Sequence, residues 1–178
     1  MLRLCPRVPC TRHTRHVSQD KSLAPSPALL GYCEAMSSPL HPALARLQAD
    51  TRAALAPAQA RMLTPAPVLR LNMAWCRATR ARTVLDIGVF TGSSSLAAAL
   101  ATDSSATVLA AEKSGKYVET ARRYWRLAGV EHKVEVRLGP ALDTLDTLLA
   151  EGRGGTVDFT YIDADKVNYD LNKKKLQV

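Results

Sequence analysis

The 178-residue sequence predicts a doubly wound α/β protein with a parallel sheet, set behind a helical lead-in. Three observations carry that reading. Downstream of Thr83, four short apolar runs alternate with stretches of helical spacing about 10–15 residues long, the pattern of βαβ units. The first apolar run passes directly into a glycine-punctuated turn and a helix. Upstream, apolar residues recur instead at three- and four-residue spacing, the helical period.

The elements follow in order. From Ala43 to Ala56, Leu44, Leu47, Thr51, Ala54 and Leu55 share a helical face; Pro42 suits its first turn and Pro57 ends or kinks it. A second helix spans Pro67 to Arg77, with Val68, Leu71 and Trp75 expected on a core-facing stripe. Val84–Gly88 is the first strand, followed by Gly92 and a helix through Leu100. Thr107–Ala111 is the second strand, with a helix from Ser114 to Leu127. Lys133–Leu138 is the third, with a helix from Ala141 to Ala150, and Val157–Ile162 is the fourth.

The formal charge of +8 invites a nucleic-acid reading. Its distribution removes that reading. Residues 1–35 hold five basic and two acidic groups, and residues 171–178 hold three lysines and no acid. Residues 36–170 hold 16 basic and 14 acidic groups, a net of +2. The chain therefore divides into a disordered leader over 1–35, a balanced domain over 36–170 and a basic tail over 171–178. The first nineteen residues are Arg-rich and free of acid, as in a mitochondrial transit peptide, although Pro6 and Pro9 interrupt a helix. Mitochondrial and cytoplasmic locations both fit. No apolar stretch approaches the roughly 18–20 residues of a membrane-spanning helix. Cys5, Cys10, Cys33 and Cys76 form no C-x-x-C pair, so neither a zinc site nor a disulfide framework is indicated.

In open α/β sheets, ligands bind beyond the carboxyl ends of the strands. After the first strand comes Gly88-Val89-Phe90-Thr91-Gly92-Ser93-Ser94-Ser95. The glycines admit close backbone approach, and the serines bring hydroxyls and free amides to a helix amino terminus. The spacing is G-x-x-x-G, not the G-x-G-x-x-G of dinucleotide sites, so a carboxylate suits these amides better than a pyrophosphate. A plain serine-capped turn would read the same way. The second strand ends at Glu112, where an acid can accept hydrogen bonds from ribose hydroxyls, or simply stand in water. Together the two features suggest a nucleoside bearing a carboxylate, a description that S-adenosylmethionine meets. The fourth strand delivers Asp163, Asp165 and Lys166. These could hold a hard cation and supply a base, or Asp165 could cap a following helix with Lys166 in water.

The blocks VLDIGVFTGSSSLAAALA, AAEKSGKYVETARRYWRLAGVEHKVEVRLGPALDTLDTLLA and VDFTYIDADKVNYD closely resemble the cation-dependent O-methyltransferases of caffeoyl-CoA and catechol type, nearest the catechol-methyltransferase-domain branch. The resemblance runs from Arg80 to Asp170, more faintly from Pro39. It implies a Rossmann-like S-adenosylmethionine-dependent methyltransferase fold with strand order 3-2-1-4, the fourth strand lying at an open edge. It further implies that Asp86 and Gly88 line the cofactor pocket, Ser94 meets the methionine carboxylate, and Glu112 holds the ribose. Gly139, Pro140 and Ala141 would lie beside the adenine and Asp165 by the cofactor. Asp163 matches the first ligand of a divalent cation (Mg²⁺ or Ca²⁺), and Lys166 the base. A small phenolic substrate is implied as partner, without nucleic acid, and a homodimer is compatible.

Three departures stand out. Ser93 replaces the family's usual tyrosine, the acidic-Gln-Gly block is absent around Pro65-Ala66-Pro67, and after NYD the chain departs into Leu171–Val178. The family's Asp-Asn pair that completes the metal site is missing from these 178 residues. The reading is therefore an O-methyltransferase descendant with little or no activity in isolation, the alternative being a non-catalytic cofactor-binding or interaction protein.

Overall fold

The computed structural model describes residues 26–164 together with residues 172, 174 and 175. The chain forms two compact units, Met1–Ser37 and Ser38–Val178. In the first, helix α1 covers Pro27–Met36, inside the stretch expected to be a disordered leader. Its start is locally encoded: the Ser26 hydroxyl accepts from the Leu29 amide at 3.2 Å, and Pro27 occupies the first turn, where its missing N–H costs nothing. None of its residues is buried.

The second unit runs α2 (Pro42–Ala54), α3 (Pro57–Ala60), α4 (Ala66–Ala78), β1 (Thr83–Ile87), α5 (Ser93–Ala101), β2 (Thr107–Glu112), α6 (Gly115–Leu127), a 3-10 turn (Glu131–Lys133), β3 (Val134–Leu138), α7 (Ala141–Ala150) and β4 (Phe159–Ile162). The four strands are parallel in the order β3-β2-β1-β4, as expected. Each predicted strand and helix forms within a few residues of its expected bounds. Pro57 does more than end α2, because it opens α3.

The central strands are buried on both faces, which is why they read as continuous apolar runs. Leu85, Ile87 and Leu109 pack with Leu145 and Leu148 of α7 on one face. Val84, Val108 and Ala110 pack on the other with α2, α4, α5 and α6. The partial exposure of every β4 residue fits its place at the sheet edge. Among the described residues no helix is long and apolar enough to cross a membrane.

One helix face differs from expectation. α4 buries Leu69, Met73 and Cys76, whereas Leu71 and Trp75 are more than half exposed and Val68 is only partly covered. Both triads satisfy helical spacing, so periodicity alone could not choose between them; the larger apolar stripe faces out.

Three contacts fix α2 over the carboxyl end of the sheet. Thr51 Oγ1 donates to Thr91 Oγ1 at 3.1 Å, and Gln48 Nε2 donates to the Thr64 carbonyl at 2.9 Å. The hydroxyl of the buried Tyr124, on α6, donates to Asp50 Oδ2 at 2.7 Å. At the opposite end of the sheet, Asp158 Oδ2 accepts from the Arg82 and Thr83 amides at 2.8 and 2.9 Å, which holds its carboxyl below the usual range.

Candidate functional site

The turn from β1 to α5 is built on two glycines that nothing else can replace. Gly88 adopts φ +93° and Gly92 φ +97°, the left-handed region. A Cβ on Gly88 would stand 2.7 Å from the Asp163 carbonyl oxygen and 2.8 Å from the Ala164 nitrogen. On Gly92 it would stand 2.5 Å from the Ala121 Cβ. Between them Phe90 is held at φ +50°, a conformation that a bulky residue keeps only when its surroundings enforce it.

Glu112 is the enforcing group. Its Oε2 accepts from the Phe90 amide at 2.7 Å, and its Oε1 accepts from the Lys113 and Ser114 amides at 2.9 Å each. The carboxylate thus ties the β1–α5 turn to the β2–α6 turn. The Gly139 amide donates to the Glu112 carbonyl at 2.9 Å, bringing the β3–α7 turn to the same place.

These turns surround a cavity of about 830 Å³ at the carboxyl ends of the strands. Of the residues singled out from sequence, it is lined by Gly88, Glu112, Gly139, Pro140, Ala141 and Asp163. Asp86 and Ser94 are not at its surface. Both are buried, with the Ser94 hydroxyl donating to Asp86 Oδ2 at 2.7 Å. The serine at the wall is instead Ser93. Burial pushes the Asp86 carboxyl up to about 7; the Ser94 hydroxyl opposes this, and the charges of Asp163 and Glu112 add to it. Its Oδ1 is buried with no hydrogen-bond partner. Asp165 and Lys166 lie outside the described residues.

Several wall residues carried no sequence signal. The rings of Phe90 and Tyr117 meet edge to face with centroids 4.6 Å apart, and both line the cavity. Tyr117 lies one turn into α6, a position that no motif marks. The loop from Arg61 to Pro65 forms another wall. On β4, the Tyr161 hydroxyl donates to Asp163 Oδ2 at 3.2 Å. Burial pushes its phenol up to about 12, so it remains a donor.

The residues present suit a nucleoside amino acid. Glu112 presents a carboxylate at the wall and Gly139, Pro140 and Ala141 a strip of small side chains, while Gly88 brings bare backbone to the surface where the end of β4 leaves no space for a side chain. They do not by themselves suit a divalent cation. Among the described residues no three His, Cys, Asp or Glu side chains come together to hold one, and Asp163 Oδ2 already receives the Tyr161 hydroxyl.

Comparison with known proteins agrees with this geometry. Probable caffeoyl-CoA O-methyltransferase 2 of Dictyostelium discoideum is 42% identical over 109 residues, covering 61% of this chain and 47% of that protein. Catechol O-methyltransferase domain-containing protein 1 of Mus musculus is 46% identical over 92 residues, covering 52% of this chain and 35% of the relative. The chain thus spans less than half the length of either. Among solved structures, the O-methyltransferase TomG of Streptomyces achromogenes, in complex with SAM, superposes with a TM-score of 0.73 at 29% identity, covering 83% of this chain and 64% of TomG. The family model described as O-methyltransferase matches residues 34–177, a span that takes in every element from α2 to β4 and all three turns around the cavity; the chain belongs to the O-methyltransferase family.

Proposed function

We propose that this chain carries the cofactor-binding part of an S-adenosylmethionine-dependent O-methyltransferase whose acceptor is a hydroxyl of a catechol-like or other small phenol. The observation that carries the reading is the convergence of Gly88, Glu112 and Gly139–Ala141 on one cavity at the carboxyl ends of β1, β2 and β3. When bound, the cofactor supplies an electrophilic sulfonium methyl for displacement by an acceptor oxygen.

The chain's own groups would act as follows. Glu112 keeps about one of its four lone-pair sites beyond those given to three amides, and this can accept a ribose hydroxyl. Gly139, Pro140 and Ala141 give a wall of small side chains suited to the flat face of an adenine. Gly88 lines the wall suited to the methionyl portion, and Asp86, held by the Ser94 hydroxyl, is buried behind that wall. Asp163 lies beside Gly88 at the β4 side of the cavity, toward which an acceptor would enter. Alignment of oxygen, methyl carbon and sulfur within such a cavity supplies rate by proximity. The assignments of Asp165 beside the cofactor and Lys166 as base rest on the sequence resemblance.

Calorimetric titration of the purified chain with S-adenosylhomocysteine tests the reading: saturable one-to-one binding is expected, and no binding overturns it. Labelled S-adenosylmethionine with a catechol, with and without Mg²⁺, then separates an enzyme from the second reading, a cofactor-binding protein without turnover. That second reading is supported by the cavity walls being complete among the described residues without any beyond Ala164. A homodimer is proposed from the resemblance and the outward-facing Leu71 and Trp75, with sedimentation as its check. A mitochondrial or cytoplasmic address is proposed from the Arg-rich first nineteen residues, to be checked by imaging a C-terminally tagged chain.

A further inference from the structure

Three serines open α5, and their hydroxyl protons have different fates. Ser94 Oγ donates to Asp86 Oδ2 at 2.7 Å, and Ser95 Oγ donates back to the Gly92 carbonyl at 3.2 Å. A serine hydroxyl has a single proton to give, so both are committed inside the fold. Ser93 differs in two respects. Among the described residues its hydroxyl has no hydrogen-bond partner, although only 3% of the residue is exposed. Of the three serines it is also the one that lines the cavity. A buried hydroxyl is costly to leave unpaired, and the cavity is where a partner can come from. The setting fixes the charge of that partner. No side chain caps the start of α5, and the amides of a first helical turn have no carbonyl of their own helix to donate to. The positive end of the helix dipole lies at the same place, so the position favours a group carrying negative charge.

We propose that Ser93, rather than Ser94, is the serine that binds the carboxylate of the amino-acid portion of an S-adenosyl cofactor, its hydroxyl donating alongside the first-turn amides of α5. The assignment rests on the reading of this cavity as a cofactor site. Successive helical residues lie about 100° apart around the axis, so one serine can meet the cavity while the next meets Asp86 of β1. The two neighbours thereby divide recognition from architecture: Ser93 is left free for a ligand, and Ser94 holds the buried Asp86 carboxyl behind the wall.

Titration of the full chain with two ligands tests the division. One is S-adenosylhomocysteine; the other is methylthioadenosine, which shares its thioether and nucleoside but has no carboxylate. Ser93→Ala is expected to weaken S-adenosylhomocysteine about tenfold, the worth of a hydrogen bond to a charged group, and to leave methylthioadenosine within about twofold of the parent. Because Ser93 has no partner among the described residues of the ligand-free fold, urea unfolding of this variant should match that of the parent. Ser94→Ala should do the reverse, unfolding at lower urea while the ratio of the two affinities stays as in the parent. Equal losses for both ligands in Ser93→Ala, or no loss for either, overturn the assignment, as does a ratio that changes only in Ser94→Ala. A parent chain that binds neither ligand overturns the cofactor reading and this assignment with it. Where the parent binds, the serine variants decide the assignment alone.

Discussion

The Ser94 hydroxyl donates to Asp86 Oδ2 at 2.7 Å, and the other oxygen of that buried carboxylate has no partner. A carboxyl so placed resists ionisation, and burial lifts it from 3.8 to about 7. Because the folded value lies above the unfolded one, the folded protein holds its proton where the unfolded chain releases it. The stability this contributes is fully present below about pH 4 and is lost as pH rises to about 7.

Asp86→Asn removes the ionisation. The variant is expected to flatten the fall in stability between pH 4 and 7 and to gain on the order of 2–4 kcal/mol over the parent at pH 8. Urea unfolding at pH 5 and pH 8 measures both. A variant less stable than the parent at pH 8 would contradict the assignment of Asp86 as a strained, buried acid.

The two turn glycines make a sharper test than their spacing alone. Gly92→Ala places a Cβ 2.5 Å from that of Ala121 in a left-handed backbone, and a loss of about 2–5 kcal/mol is expected. Gly152→Ala supplies the control. Its φ is +73°, but nothing lies within 4 Å, so only the backbone cost of about 1–2 kcal/mol applies. Equal losses at the two positions would show that crowding against α6 is not what holds Gly92.

That turn also shows what was legible before the fold was known. Alternating strand and helix periods, with Gly88 and Gly92 between the first pair, placed every strand and the carboxyl-edge cavity. Glu112 was legible as an acid at a strand end. Its bond to the Phe90 amide was not, because it joins turns 22 residues apart in sequence. The outward face of α4 was misjudged for a related reason: Leu71 and Trp75 satisfy the helical period as well as Leu69, Met73 and Cys76 do, and only the neighbours of α4 decide which face is covered. Thr64 carried no signal at all, since its carbonyl meets Gln48 of α2, 16 residues away, only once the loop is folded against that helix.

Lys133 is nearly fully buried, yet it lies just before β3, where the sequence reads as an ordinary strand start. Its ammonium donates to the Ala99 and Thr102 carbonyls, closing the carboxyl end of α5. Helix ends leave such carbonyls unpaired, and a cation there also meets the negative end of the helix dipole. Lys133→Met keeps the stem and removes the donor, so a loss of about 2–3 kcal/mol in urea unfolding is expected. The loss should be almost independent of salt, because the contact is shielded from solvent. A loss that vanishes at 1 M salt would point to a surface charge effect instead.

Glu112 offers the test that best separates architecture from recognition. Its two oxygens receive three backbone amides from two turns, so the side chain does structural work before any ribose binds. Glu112→Gln retains one acceptor oxygen but turns an N–H₂ toward amides that need an acceptor. Glu112→Asp retains both oxygens on a stem too short to reach both turns. Each variant is expected to lose about 1–3 kcal/mol of stability, because an amide is left unpaired and Phe90 is released from its left-handed backbone. If the carboxylate also receives ribose hydroxyls, affinity must fall further than stability accounts for. A titration with S-adenosylhomocysteine, compared with one using methionine, a neutral thioether amino acid without the nucleoside, resolves the two contributions. Loss for the nucleoside ligand alone, about ten- to a hundredfold, assigns Glu112 to the ribose. An equal loss for both ligands would mean that the carboxylate only holds the turns together.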